Sequence, residues 1–178
     1  KVTSRDDAGN VTTTADKKNG TGDDKPPVWT DAKTSISGAT GTGGAFKVGD
    51  TATATWNNKA TGDNNADIAG VTVDFSQFGG PAAMAATNSG NTWTGTYTIV
   101  AGAIDGANKN VLVTAIDDAG NVTTTADTTN ATVDDQLPVV TDAKISISGA
   151  TGTGGAFKVG DTATATWNNK ATGDNNPD

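Results

Sequence analysis

The chain has 178 residues, a formal net charge of −8 at pH 7, and neither cysteine nor histidine. This composition excludes disulfides, thiolate and imidazole catalysis and the usual zinc sites, so we expect no enzyme activity. The negative charge disfavours nucleic acid and anionic lipid as partners. All 20 acidic residues are aspartate, and 23 residues are glycine, which favours turns over helices. We therefore expect strands joined by turns, with no membrane insertion in this segment.

A repeat of 111 residues organises the chain. The segment from Asp6 to Asp16 recurs unchanged as Asp117 to Asp127, and 117 − 6 = 111. The same shift places residues 31–67 on residues 142–178 with two changes in 37 positions. A period of this length suits one small autonomous domain rather than a thin solenoid turn.

The repeat divides the chain into three parts. We predict that residues 1–22 are the C-terminal hairpin of a preceding repeat and that residues 23–133 are one complete repeat. Residues 134–178 are then the N-terminal strands of the following repeat. We expect the chain to belong to a longer array, whose partners are neighbouring repeats and other copies of the chain.

Alternation of apolar and polar residues predicts the strands in chain order. Residues 1–15 form a hairpin, and residues 17–30 have linker composition, with Asn19-Gly20, Asp23-Asp24 and Pro26-Pro27. The strands predicted in the complete repeat are Val28–Ser37, Lys47–Trp56, Val71–Phe75, Thr92–Val100, Asn110–Ile116 and Val122–Ala126. Pro81 to Thr87 is predicted as a further short strand or as a single helical turn around Met84.

Seven short alternating strands in about a hundred residues are typical of an all-β, immunoglobulin-like Greek-key β-sandwich. A closed barrel is the alternative. The alternation places Ala32, Thr34 and Ile36 on one face of the first strand, and Trp93, Tyr97 and Ile99 on one face of the fourth. The predicted core side chains are Ala52, Ala54, Trp56, Val71, Val73, Phe75, Val111, Val113 and Ala115, with Phe78 closing the sandwich edge.

Three groups of residues offer the hard oxygen ligands that calcium prefers. They are the turn pair Asp117-Asp118 with its earlier copy Asp6-Asp7, the linker pair Asp134-Asp135 with its earlier copy Asp23-Asp24, and the loop residues Asp63, Asn65 and Asp67. Adjacent carboxylates repel each other, and a divalent cation removes that cost. The alternative is that these residues serve only as turn formers. We predict calcium as the cofactor.

The loop resembles an EF-hand in part of its spacing. Asp63, Asn65 and Asp67 stand at positions one, three and five, and Asp74 stands at position twelve. Ile68 occupies the place of the required glycine, and Asp74 is shorter than the usual bidentate glutamate. The sequence therefore excludes an EF-hand and leaves either a calcium site of another geometry or a purely structural loop.

A junction site is a further hypothesis. If the last strand ends soon after Asp127, the linker can double back beside the turn. Asp117 or Asp118, Asp134 or Asp135, and an oxygen of the next repeat would then share one calcium ion.

The motifs Lys47-Val48-Gly49-Asp50, Trp93 to Tyr97 and, above all, Val113 to Asn121 resemble the immunoglobulin-like tandem repeats of large bacterial surface adhesins of the biofilm-associated and RTX types. The resemblance covers the whole period. It implies an extracellular, cell-surface extender that holds a binding tip away from the cell, with calcium at domain junctions.

We therefore expect a structural spacer, rigidified by calcium, that acts in adhesion or biofilm formation. One alternative is the repeat of a self-assembling extracellular filament or surface layer. Another is a glycan- or ice-binding module, which the exposed threonines at 51, 53, 55, 123 and 125 would serve. Trp29 is expected to pack at the junction between repeats, since Val140 replaces it in the next copy.

Overall fold

The computed structural model describes residues 1–15 and 21–176. Asn19 and Gly20 of the predicted linker, and Pro177 and Asp178 at the end of the second aspartate loop, lie outside these residues. The strands are β1 (Val2–Arg5), β2 (Val11–Thr14), β3 (Thr34–Ser37), β4 (Phe46–Lys47), β5 (Thr51–Asn57), β6 (Ile68–Asp74), β7 (Met84–Ala85), β8 (Thr87–Ser89), β9 (Thr92–Thr98), β10 (Asp105–Lys109), β11 (Leu112–Asp117), β12 (Val122–Ala126), β13 (Ala131–Asp134), β14 (Ile145–Ser148) and β15 (Thr164–Trp167). The only helices in the described residues are 3-10 turns of three residues each, so the expectation of an all-β chain is confirmed.

Two four-stranded antiparallel sheets form the body of the complete repeat. Their strand orders are β3-β5-β9-β8 and β12-β11-β6-β7. A third sheet, of order β10-β13-β4, includes the parallel pair β13–β4. The sheets are separate and open, which agrees with the predicted sandwich-like arrangement rather than with one closed sheet.

Period-two alternation places the core side chains. On β5, Ala52, Ala54 and Trp56 are buried while the threonines between them face outward. The other buried apolar residues are Phe46, Val71, Val73, Phe75, Phe78, Trp93, Ile99, Val111, Val113, Ala115 and Val133. The inward faces predicted for the strands around residues 52, 71, 93 and 111 are thus confirmed, and Phe78 is fully buried as expected. Ala32, in contrast, is exposed.

Gly95 shows how closely the two main sheets approach. A Cβ atom added at Gly95, on β9, would lie 2.7 Å from Cγ2 of Val73, on β6 of the other sheet. Since real Cβ atoms do not come so close to a neighbour, only glycine fits here without displacing Val73. The sheets therefore pack face to face through β9 and β6.

Two predicted strands are shorter than expected. Residues 31–33 form a 3-10 turn, so the first strand of the repeat begins at Thr34. The predicted strand Lys47–Trp56 is interrupted between β4 and β5 by a turn in which Asp50 accepts hydrogen bonds from the backbone and side chain of Thr40 and from the backbone of Lys47. These bonds, led by the one from the Thr40 hydroxyl, lower the pKa of Asp50 to about 2.

Three strands, β8, β10 and β13, were not predicted from the sequence, and the conformation of one segment was left open. β10 contains mainly polar residues and glycine and has no alternation that a pattern search would detect. β13 crosses the predicted boundary between residues 133 and 134, and its Val133 is fully buried in the third sheet. Asp134 and Asp135 therefore pack with the repeat that precedes this boundary and not with the following one. The segment around Met84 forms the short strand β7 and not a helical turn.

The partial copies repeat the pairings of the complete one. β1 pairs with β2 in the register Val2 to Thr14, as β11 pairs with β12 at Val113 and Thr125. β14 pairs with β15 in the same register as β3 with β5. Some apolar side chains of the partial copies are more exposed than their counterparts in the complete repeat. Val2 is exposed where Val113 is buried, and Ile147 is exposed where Ile36 is half-buried.

The two faces of β11 give a test of the core. Val113 is 2% exposed and Leu112 is 39% exposed. Val113→Asp buries an unpaired charge and is expected to unfold the repeat, whereas Leu112→Lys should change its stability by less than about 0.5 kcal/mol. Thermal unfolding followed by tryptophan fluorescence measures both effects. Similar losses for the two variants would contradict the assigned faces.

Candidate metal centre

Three carboxylates meet at one end of the complete repeat. Oxygen atoms of Asp23, Asp67 and Asp117 all lie within 4.8 Å of one another. Each of these residues comes from a different one of the three predicted groups. We call this arrangement the carboxylate cluster, and we call the end of the repeat that contains it the turn pole.

Asp117 is fixed by the turn that follows β11. One of its carboxylate oxygens accepts hydrogen bonds from the backbone N–H groups of Ala119, at 2.9 Å, and Asn121, at 2.8 Å. The other oxygen accepts one from the side-chain amide of Asn121, at 2.9 Å. Asp6 accepts the corresponding two bonds from Asn10 in the preceding copy, each at 2.8 Å. The Asp-x-Ala-Gly-Asn motif is thus a turn closed by its own first carboxylate.

The same turn positions the other two members of the cluster. The backbone N–H of Asp118 donates to the carbonyl oxygen of Asp67 at 2.9 Å, which holds Asp67 beside the turn just before β6. The side-chain amide of Asn121 donates to the carbonyl oxygen of Asp23 at 3.3 Å. One short turn therefore brings together carboxylates that are far apart in the sequence.

Within the carboxylate cluster, the pKa values of Asp67 and Asp117 are shifted in opposite directions. The pKa of Asp67 is raised, first by desolvation and then by the negative charge of Asp23. For Asp117, which is 2% exposed, burial is the largest single effect and raises the pKa. The hydrogen bonds from Asn121, Ala119 and Gly120 together outweigh burial, so the pKa of Asp117 is lowered. Hard, crowded carboxylate oxygens of this kind can act as ligands for a divalent cation such as calcium.

The loop residues Asp63 and Asn65 have a different position. Asp63 accepts hydrogen bonds from the indole N–H of Trp56, at 2.7 Å, and from the backbone N–H of Thr30, at 3.0 Å. Asn65 pairs with both backbone groups of Val28. These two side chains hold the chain that enters the repeat, while Asp67 turns toward the cluster. The three loop residues therefore do not converge on one point.

Asp134 and Asp135 lie at the opposite end of the repeat, which we call the far pole. Asp135 is 1% exposed, and its carboxylate accepts a hydrogen bond from the backbone N–H of Ile104 at 2.6 Å. A Cβ atom on Gly79, which follows β6, would be 3.0 Å from this carboxylate, whereas Asp117 pairs with Ile68 at the beginning of β6. The length of β6, about 20 Å, separates the two ends.

The predicted grouping of Asp117 or Asp118 with Asp134 or Asp135 is therefore wrong for one and the same repeat. The chain does not double back after β12, because β13 continues away from the turn between β10 and β4. The turn meets the linker aspartate that enters the repeat, Asp23, and not the pair that leaves it. Of the remaining candidates, Asp118 reaches the cluster through its backbone N–H, and Asp7 and Asp24 are exposed.

Threonines cover the outer face of the sheet that contains β5 and β9. Thr51, Thr53 and Thr55 lie directly opposite Thr98, Thr96 and Thr94. On β12, Thr123 donates to the carbonyl oxygen of Pro27 at 2.6 Å and so belongs to the contacts of the linker. Sequence reasoning missed this role of Thr123 and the corresponding role of Asn121. Their signal was the unchanged segment that contains both.

No family model, curated protein or solved structure matches the chain. Within residues 1–15 and 21–176, no helix has the length and apolar character needed to cross a membrane.

The opposite pKa shifts have opposite effects on stability. Because the pKa of Asp117 is lowered on folding, its contribution to stability is present above the unfolded pKa and is lost as the pH falls through the folded pKa. Because the pKa of Asp67 is raised, ionisation of Asp67 destabilises the fold, and this cost develops as the pH rises through the raised pKa.

An NMR titration of the metal-free protein tests these opposite pKa shifts of Asp67 and Asp117. Asp67 is expected to titrate above the ordinary aspartate value and Asp117 below it. Asp23→Asn should lower the pKa of Asp67 because it removes the charge that raises this pKa most, whereas Asp24→Asn, one residue along the chain, should leave that pKa unchanged. Equal effects of the two variants would show that Asp23 does not face Asp67.

Proposed function

We propose that the chain is part of a structural extender, an array of 111-residue repeats that holds another part of a bacterial surface adhesin away from the cell. The observation that carries this proposal is the position of the two chain ends of the complete repeat. Asp23 enters at the turn pole, and Asp135 leaves at the far pole. Each added repeat then adds length in one direction, which suits a spacer.

The strand orders support an immunoglobulin-like sandwich as the repeating unit. The order β3-β5-β9-β8 corresponds to strands A, B, E and D of that fold, and β6-β11-β12 corresponds to C, F and G. The near identity of the copies fits the same function, because a spacer needs many equivalent units and no single unit needs a unique ligand site. The extracellular setting and the part in adhesion or biofilm formation follow from the resemblance of the repeat motifs.

Calcium is the proposed cofactor, and the carboxylate cluster is its proposed site. Desolvation and then the charge of Asp23 raise the pKa of Asp67, and a cation bound there would offset the second of these effects. It would also join Asp23, in the incoming chain, to Asp67 and Asp117 in the body of the repeat. Binding would thus stabilise the docked arrangement by RT ln(1 + [L]/Kd), about 2.7 kcal/mol at a hundredfold excess over Kd.

An array of three complete repeats tests the proposal. In millimolar calcium it is expected to sediment as an extended monomer and to give a longer maximum dimension by small-angle scattering than in chelator. Asp67→Asn in every repeat should abolish the response to calcium, and Asp118→Asn, which removes the same charge beside the cluster, should retain most of it. Reversible association into higher oligomers would favour a filament or surface-layer protein instead. A calcium response that survives Asp67→Asn would exclude the cluster as the site.

A further inference from the structure

We infer that each repeat carries a preformed receptor for the chain that arrives from the repeat before it, and that this receptor fixes the joint without any metal. The inference rests on the proposed extender function only in treating neighbouring repeats as the partners. The incoming segment, defined as Asp23–Thr30, is the ligand. The receptor consists of Asn65, Asp63 and Thr123, assisted by Asn121.

The incoming segment is bonded along its length to the body of the repeat. Asn65 accepts a hydrogen bond from the N–H of Val28, at 2.7 Å, and donates one to its carbonyl oxygen, at 2.8 Å. This pair of bonds resembles one rung of a β-ladder, made by a side-chain amide. Asp63 binds the N–H of Thr30, and Thr123 binds the carbonyl oxygen of Pro27. Pro27 is buried as a result.

The receptor is itself held in place. The backbone N–H of Asn65 donates to the side chain of Asn58, which is 2% exposed, and the side-chain amide of Asn58 donates back to the carbonyl oxygen of Asn65. Trp56, a core residue, fixes Asp63 through its indole N–H. These supporting hydrogen bonds are made between residues of the folded repeat, so the bonds that shape the receptor do not need the segment. Trp29 of the incoming segment adds an apolar contact, since its ring stacks on Trp56 with the ring centroids 4.0 Å apart.

The same contacts recur one period later. Asn176 accepts from the N–H of Val139 at 2.6 Å and donates to its carbonyl oxygen at 2.8 Å. Asp174 accepts from the N–H of Thr141 at 2.9 Å and from the indole N–H of Trp167 at 2.7 Å. Residues 139, 141, 174 and 176 are the counterparts of residues 28, 30, 63 and 65. The receptor is therefore a property of the repeat and not an accident of one linker.

The chain that leaves a repeat is fixed as firmly as the chain that enters. Val133 is fully buried, and β13 pairs on both sides, with β10 and with β4. Asp135 exchanges two backbone hydrogen bonds, one with Ile104 and one with Gly102. Gly102 leaves the space for the Asp135 carboxylate, since a Cβ atom there would be 2.7 Å from one of its oxygens.

Only three residues separate these two anchored regions. Between Asp135, held by the upstream repeat, and Val139, held by the downstream one, lie Gln136, Leu137 and Pro138. Gln136 donates its N–H to the side chain of Asp134 at 3.0 Å, and Pro138 has a fixed φ. Four Cα steps span at most about 14 Å. Consecutive repeats are therefore held pole to pole by a connection too short to act as a free hinge.

Hydrogen exchange of the full chain, measured by NMR in chelator, tests the receptor. The amides of Val28 and Thr30 are expected to be protected without calcium. Asn65→Ala should speed the exchange of the Val28 amide by about tenfold or more, while the amide of Ala115, in the core strand β11, keeps its protection. Asn176→Ala, the same change in the following copy, should leave Val28 unaffected.

A second pair of variants avoids the risk that Asn65→Ala disturbs its own loop. Thr123→Val removes the hydroxyl that binds Pro27 and keeps the shape of the side chain, so it should speed exchange at Val28. Thr125→Val, on the same face of β12, should not. The inference would be overturned if the Val28 and Thr30 amides of the wild type exchanged without protection. It would also be overturned if neither Asn65→Ala nor Thr123→Val changed the exchange rate of the Val28 amide. That outcome would leave the spacer proposal standing, since the spacer proposal fails only if the array associates or does not lengthen with added repeats.

Discussion

The carboxylate of Asp117 is the group on which the turn pole depends. It lies almost fully buried at the end of β11 and is stabilised there by three hydrogen bonds from the turn that it closes. That turn then supplies the Asn121 amide to the carbonyl oxygen of Asp23 and the Asp118 N–H to the carbonyl oxygen of Asp67. The incoming chain and the loop before β6 are both positioned by these bonds. The buried, hydrogen-bonded carboxylate of Asp117 thus positions the groups at the turn pole, which is the end that would face the preceding repeat.

Two kinds of contact hold the incoming segment, and they differ in how they can be adjusted. The bonds of Val28 and Thr30 to Asn65 and Asp63 are local and fixed by the fold. The contact of Asp23 with Asp67 and Asp117 brings like charges together and so depends on pH and on cations. The first kind keeps Val28 and Thr30 docked without a metal, while the second determines how firmly Asp23, at the start of the segment, is held against the repeat. The proposed effect of calcium is therefore an increase in stiffness rather than the creation of the joint.

Much of the fold could be predicted from the sequence, because strands with one buried face show it in their alternation. β5 and β11 are clear examples, with buried apolar residues at 52, 54 and 56 and at 113 and 115. β10 could not be predicted, because its polar residues form an edge strand whose partner is distant. The structure brings together one aspartate from each of the three groups that the sequence singled out, and this combination was not predicted. Asp23, and not Asp134, lies beside the turn that follows β11, because β13 carries Asp134 away from that turn. The course of β13 is set by its pairing with β10 and β4, which no local sequence pattern indicates.

The central claim is that neighbouring repeats are joined without a free hinge, and a distance distribution between two spin labels tests it most directly. The chain contains no cysteine, so labels can be placed at Thr96→Cys, on the exposed face of β9, and at Ser146→Cys, on β14 of the following repeat, in a chain extended to the end of that repeat. The account predicts one narrow distribution in chelator, which becomes narrower in calcium. A broad distribution under both conditions would contradict it.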